Sequence, residues 1–411
     1  MKKIVFLTKS TMRFDSRVKK ISLSLAQNSY DVTVIAEKLY KDLKKTENKE
    51  YNIYRVSTLS GFYSTESSVS SEKEMVNSHL SYLQKIIKYI KYMKLRTYIF
   101  ITLNRIFWNL GALIKIISIN PDLIIGRDPN TLLISYVASK LLNKPIIYEP
   151  HEIWDSSNLY LRSTKPMQVY WNLVEKLLIK KVNITFTTTE SKRKILSERY
   201  GVDNVYVLRS TSPFRELRHS INLKKQYNIP EDKLLLIYHG QLGRIRGVFD
   251  LVDAIKDLDD YVLLFMGMGN DIYELMQYVK QLSLNHKIFF KDAVNPDDIV
   301  ENIASADIGI QPFHYSENIY NEISNKLLEC IMAELPTIGV DFPEIKRIII
   351  GENIGFVYKS GDIKQLKIVL QEIAQNRCIL NKFKENCRNI KHQYSWEIDE
   401  KILLEKVRTL I

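Results

Sequence analysis

Short apolar runs alternate with amphipathic stretches along most of this chain, and their spacing predicts its elements. Ile4–Leu7 is apolar throughout and reads as a buried strand. The stretch from about Ser16 to Gln27 carries apolar Val18, Ile21, Leu23 and Leu25 and predicts a helix, with Val32–Ala36 as the next strand. Further strands are predicted at Leu123–Ile125, Pro145–Tyr148, Ile184–Thr187 and Val205–Leu208, and a helix near Leu132–Leu142. The second half repeats the pattern, with strands at Leu234–Tyr238, Val262–Met266, Lys287–Phe290, Ile308–Gln311 and Thr337–Val340. Its helices are predicted near Val248–Leu258, Asp271–Leu282, Pro296–Ala304 and Asn325–Glu334. Strands alternating with helices of about ten residues or more indicate parallel, doubly wound sheets, an α/β class. The polar stretch Ser212–Lys233 separates two such sets. The expected organisation is therefore two Rossmann-like domains, 1–212 and 213–392, facing a cleft, with 393–411 a helix returning to the first domain. Such sheets bind ligands at the carboxyl ends of their strands.

One segment departs from this rhythm. Residues 63–74 are rich in serine, and residues 80–119 are apolar and basic, which together predict a basic helical insertion over about 63–119. Lys85, Lys88 and Lys91 recur every third position, with Leu83, Ile87, Ile90 and Met93 on the other side. No apolar run approaches the ~18 residues needed to span a bilayer. The segment reads either as a basic amphipathic helix on an anionic membrane surface, through 80–119, or as an insertion packed on its domain with its lysines in water.

Charge sharpens that picture. The net charge of +12 is carried entirely by residues 1–120, which hold 21 Lys and Arg against 9 Asp and Glu. An anionic partner at that end, or simply a solvated basic face, would account for it. At 411 residues two cores are expected. Cys330, Cys378 and Cys387 are odd in number and lack C-x-x-C spacing, which argues against a disulfide framework or a zinc site and suits a cytoplasmic protein. The opening Met1-Lys2-Lys3 is basic, but the apolar run after it ends within four residues, too short for a signal peptide.

Three clusters could carry chemistry. Tyr238-His239-Gly240-Gln241-Leu242-Gly243-Arg244-Ile245-Arg246-Gly247 follows a strand and opens a helix. Glycines there allow backbone N–H groups to approach an anion, and Arg244 and Arg246 supply forked donors, which suits a diphosphate; a purely structural turn is the alternative. No Walker A pattern occurs. Gly267-Met268-Gly269 also lies between strand and helix, as a ligand contact or a tight turn. In the third, Asn325 and Glu329 share a helix face one turn apart, so the carboxylate could hold two sugar hydroxyls or stand in solvent. His151 directly follows a strand beside Pro150 and Trp154, a position that suits a cleft residue or a structural histidine. The other histidines have no partners at metal spacing, and the basic segment carries no nucleic-acid motif.

Together these residues resemble glycosyltransferase family 4, the retaining enzymes of GT-B fold. The similarity covers nearly the whole chain. It rests on Asp15-Ser16-Arg17-Val18 near the start, Gly126-Arg127-Asp128, Tyr148-Glu149-Pro150-His151-Glu152, Ile308-Gly309-Ile310-Gln311-Pro312, Asn325-Lys326-Leu327-Leu328-Glu329 and Ser395-Trp396-Glu397. The resemblance implies a nucleotide-sugar substrate, a UDP- or GDP-sugar, with no further cofactor and no metal. By the same resemblance Arg244 and Arg246 fall on the donor diphosphate, Glu329 on the ribose, and His151 on the wall near the transferred sugar. Gly240, Gly243, Gly267, Asp292 and Val294 would line the donor site, the last two near the base. Asn321 and Glu322 in the sugar-facing loop 313–322, with Ser324, Asn325 and Lys326 just after it, would also bind the donor. Three features depart from the pattern: Asn321 stands where the first Glu of E-x7-E belongs, Glu334 where a turn usually has glycine, and the glycine pair of many members is missing after the first strand. The implied activity is retaining sugar transfer to a saccharide or lipid-linked acceptor, as in cell-surface polysaccharide synthesis. A catalytically inactive relative serving as a binding subunit, and a sugar-nucleotide isomerase, are the rival readings.

Overall fold

A computed structural model describes residues 1–10, 12, 15–38, 45–47, 50–56, 103–156, 158–161, 163–217 and 221–411. The first sheet has eight strands: β1 (Lys3–Leu7), β2 (Asp31–Glu37), β3 (Lys45–Glu47), β4 (Asn52–Val56), β5 (Leu123–Arg127), β6 (Ile146–Glu149), β7 (Ile184–Thr187) and β8 (Val205–Val207). Their order is β3-β4-β2-β1-β5-β6-β7-β8, with only β3 antiparallel to its neighbour among the pairings in register. The second sheet has six: β9 (Leu234–Gln241), β10 (Tyr261–Met268), β11 (Ile288–Lys291), β12 (Ile308–Gln311), β13 (Thr337–Val340) and β14 (Gly355–Tyr358). It is parallel throughout, in the order β11-β10-β9-β12-β13-β14. Two compact units result. One comprises Met1–Asp155, Arg162–Phe186 and Leu404–Ile411, the other Ser156–Leu161 and Thr187–Leu403.

In the first unit, β1 lies between β2 and β5, so the chain winds one way from β1 to β2 and the other from β5 to β6. That reversal makes the carboxyl ends of β1 and β5 a topological switch point. Ile4, Val5, Phe6 and Leu7 are fully buried because both faces of a parallel sheet are covered. Residues 103–119 are helical, and Trp108, Ala112 and Ile116 pack against Val5, Leu7, Ile35 and Ile124. The last part of the expected insertion is thus a core helix. Residues 63–102, with Lys85, Lys88 and Lys91, lie outside the described residues. Among the described residues no helix is long and apolar enough to cross a membrane.

In the second unit alternate residues of β9 enter two apolar layers: Leu234, Leu236 and Tyr238 on one face, Leu235 and Ile237 on the other. The helices Val248–Ile255, Ile272–Gln281, Pro343–Gly351 and Ile363–Gln375 cover one face, while Asn325–Met332 and Cys378–Ile390 contribute to its margins. Fully buried Asp399, in the helix Trp396–Arg408, accepts from the Arg209 N–H at 2.9 Å and the Thr211 hydroxyl at 2.8 Å. Several elements exceed the periodicity reading. β3, β4 and β14 were not predicted, nor were the helices Lys165–Leu178 and Glu190–Tyr200. β9 also continues three residues past Tyr238, because His239, Gly240 and Gln241 pair with Met266, Gly267 and Met268 of β10.

Candidate functional site

The paired strand ends of β9 and β10 form the floor of the site. A Cβ on Gly267 would stand 1.8 Å from the Gly240 carbonyl oxygen, and one on Gly269 1.8 Å from that of Leu242. Glycine is required because the two backbones approach this closely; Gly240 itself takes φ +108°. Past these strand ends opens a cavity of about 620 Å³, lined by His239, Gly240, Gly267, Asn270, Val294 and Ile299 among others. That volume suits a nucleoside-sized ligand. Gly240, Gly267 and Val294 therefore share the cavity, whereas Asp292 is exposed.

Two cations converge at its edge. The 3-10 turn Arg244–Arg246 ends at Gly247, whose φ is +69° and whose missing Cβ would lie 1.6 Å from the Pro312 carbonyl oxygen. The turn aims Arg246 inward: its guanidinium lies 5.5 Å from the Phe313 ring, with Nη2 3.5 Å from Gln241 Oε1. Its Nε is buried without a hydrogen-bond partner. Lys326 Nζ lies 5.3 Å from the Phe313 ring and 5.6 Å from that of Tyr238, and the Lys326 Cε would meet any Cβ placed on Gly240. Burial, aided by the neighbouring Arg246 charge, pulls the Lys326 ammonium down to about 8. The Arg244 guanidinium instead points outward, paired with Glu274 and stacked 4.5 Å from Phe249, while its N–H donates to Asp271 Oδ2 at 2.9 Å. Gly243 precedes it as the extended residue entering the turn.

Glu329 meets a residue the sequence reading assigned no role. Its Oε2 lies 2.8 Å from His239 Nε2 near the end of β9. Only the extension of β9 past Tyr238 brings His239 there; strand periodicity carried no signal for it. Ser324 Oγ caps the helix Asn325–Met332 by accepting from the Lys326 N–H at 3.2 Å, which fixes where Asn325, Lys326 and Glu329 fall on its faces. Asn325 is exposed. Just upstream, the Asn321 carbonyl accepts from the Thr189 hydroxyl at 2.8 Å and its side-chain amide donates to the Glu317 carbonyl at 3.2 Å. The Glu322 carboxylate pairs with buried Lys192. Glu334 takes φ +55° in place of the usual glycine, and its buried carboxylate is held by Arg388 at 2.8 Å and Lys391 at 2.8 Å.

His151 belongs to the first unit, directly after β6, and its N–H donates to Asp128 Oδ1 at 3.0 Å. Asp128 caps β5 at φ +58°, a strained setting for a non-glycine residue. Burial pushes its carboxyl up to about 6, against the pull of Arg127 and the His151 N–H. Around it Arg127 pairs with Asp15, and Arg17 Nε donates to Glu149 Oε1 at 2.6 Å deep in the fold. The D-x-R element of the sequence is thus part of a charge network at the sheet's switch point.

The family described as "Glycosyltransferase Family 4" matches residues 16–209, and that described as "Glycosyl transferases group 1" matches residues 220–390. The chain belongs to glycosyltransferase family 4. The chain is 22% identical over 231 residues to the chitobiosyldiphosphodolichol beta-mannosyltransferase of Candida albicans, covering 52% of the chain and 50% of that relative. It is 27% identical over 148 residues to the N-acetyl-alpha-D-glucosaminyl L-malate synthase of Bacillus anthracis, covering 35% of the chain and 37% of the relative. The chain thus spans half or less of the length of these curated relatives. Among solved structures, Anabaena HepE in complex with UDP superposes with a TM-score of 0.72 at 12% identity, covering all of both chains. Sucrose-phosphate synthase from Thermosynechococcus elongatus gives 0.68 at 14% identity, covering 100% of this chain and 99% of that one. The chain therefore has the GT-B fold.

Proposed function

We propose that the second unit binds a UDP- or GDP-sugar and that the enzyme transfers the sugar, with retention, to a saccharide or lipid-linked acceptor in cytoplasmic glycan or cell-surface polysaccharide synthesis. The observation that carries this reading is the pair Arg246 and Lys326, two cations with no ion-pair partner among the described residues, beside a glycine-floored cavity. They are placed to neutralise the charge that grows on a departing diphosphate, a role a metal ion would otherwise fill. The N-terminus of the helix Asn325–Met332 adds its positive end. His239 holds one Glu329 oxygen, which leaves the other for a ribose hydroxyl. In this reading Lys326 stands with Arg246 at the diphosphate, while Arg244 is held in an exposed ion pair with Glu274. HepE was solved with UDP and with UDP-glucose, in keeping with a uridine donor.

The test is direct. UDP or GDP should raise the melting temperature of the intact chain. Lys326→Met and Arg246→Met should each lower kcat on the order of 10²-fold, the cost of losing one preorganised charge stabiliser. Arg244→Ala should stay within a few-fold of wild type, and turnover should survive a chelator. The anomeric configuration of the product, read by NMR, decides retention. Failure of any nucleoside diphosphate to shift the melt, or equal damage from Arg244→Ala, would overturn the assignment. The second reading, a non-catalytic binding relative, is favoured by Asn321, whose side chain is tied to Glu317 rather than offering a carboxylate. A nucleotide-dependent melt shift with neither transfer nor donor hydrolysis would select it.

A further inference from the structure

Two helices of the first unit expose apolar stripes. On residues 103–119, Ile106, Phe107, Leu110 and Ile114 stand in solvent at helical spacing, Ile114 being 69% exposed, while Trp108, Ala112 and Ile116 hold the opposite face in the core. On the helix Lys165–Leu178, Val169, Leu173 and Leu177 are exposed, Val169 by 67%, while Trp171, Val174 and Leu178 are buried. The helices are neighbours: the Arg105 guanidinium lies 5.5 Å from the Trp171 ring. Scattered exposed leucines need no explanation, but an apolar stripe on each of two neighbouring helices does.

Their charge setting selects a partner. Residues 103–119 contain no acidic side chain. Residues 165–181 contain one, Glu175, and it is buried, with the Tyr148 hydroxyl donating to it at 2.6 Å. Exposed Lys165 stands at one end of the second stripe, and exposed Lys176, Lys180 and Lys181 at the other. Apolar side chains fringed by lysines, with no exposed carboxylate among them, complement an anionic bilayer surface, where the apolar stripe enters the headgroup boundary and the ammonium groups meet lipid phosphates.

We propose that this two-helix face docks the enzyme on an anionic membrane surface. The face includes the helix Lys165–Leu178, which the charge pattern of the sequence did not single out. The inference stands apart from the donor site, so each can fail alone.

Co-sedimentation of the full chain with phosphatidylcholine vesicles and with equimolar phosphatidylcholine–phosphatidylglycerol vesicles tests it. Wild type should pellet with the anionic vesicles and poorly with the neutral ones. Leu110→Glu combined with Leu173→Glu should cut partitioning about ten-fold or more, and Lys176→Glu with Lys180→Glu should abolish the anionic preference. Tyr273→Glu, at an exposed apolar position of the second unit, serves as the control and should partition as wild type. Nucleotide-dependent melt shifts check that each variant is folded and keep the two readings separate. The proposal is overturned if wild type stays in the supernatant, or if Leu110→Glu with Leu173→Glu pellets unchanged. It is equally overturned if wild type is a dimer in vesicle-free light scattering and those substitutions make it monomeric, which would assign the face to a second copy.

Discussion

Single residues at this site are constrained by backbone geometry as much as by charge. At Gly247 a side chain would need both a positive φ and space already held by the Pro312 carbonyl. Gly247→Ala should therefore destabilise the second unit by at least the ~1–3 kcal/mol of a strained backbone and swing Arg246 off the cavity, read as a lower melting temperature with a weakened nucleotide shift. Glu334 is the converse case. Its positive φ is tolerated because Arg388 and Lys391 grip the carboxylate, so Glu334→Ala should lower the midpoint of denaturant unfolding by leaving the buried Lys391 ammonium unpaired. Lys326 makes a pH prediction with two signs. Its pKa is about 8 in the folded chain against an ordinary 10.5, so the unfolded chain binds more protons between these values. Stability from this group should rise as pH climbs from about 8 toward 10.5, while UDP affinity falls because the neutral amine must first regain a proton. Titrating melt and affinity together checks it, and Lys326→Met should flatten both trends.

At the scale of elements, the site depends on where two of them end. β9 and β10 run on to Gln241 and Met268, and this shared length brings His239 to Glu329. His239→Ala should leave Glu329 in place without its anchor, raising KM for the donor more than it lowers kcat, since ribose binding is made in ground and transition states alike. An unchanged KM would remove the histidine from that role. The helix Asn325–Met332 is short and begins at a Ser324 cap, which sets its register. A short amphipathic helix was readable from Leu327, Leu328 and Ile331, but its ending at Met332, ahead of the positive φ at Glu334, follows from local backbone geometry.

On the scale of the molecule, two separately cored units share one chain. If the donor site belongs wholly to the second, hydrogen exchange with bound UDP should slow at 238–247, 266–270 and 322–330 and leave strands β1, β5 and β6 unchanged. Protection centred on β1 and β5 instead would relocate the nucleotide.

Composition and periodicity alone determined that the chain is α/β with two parallel sheets, because a strand buried on both faces must be apolar along its length, and Ile4–Leu7 and Leu234–Tyr238 are. The glycine-and-arginine turn was likewise legible, since positive φ and close approach leave glycine few substitutes. β4 and β14 escaped notice because each is short and only partly buried, so its pattern is indistinct. The different surroundings of Arg244 and Arg246 were decided by tertiary structure. Arg244 and Arg246 are equivalent in sequence, and only the positions of Glu274 and Phe313, contributed by remote elements, turn one outward and the other in. Lys326 acquires its lowered pKa and His239 its partner in the same way: each property belongs to a contact between segments far apart along the chain, and no local pattern encodes it.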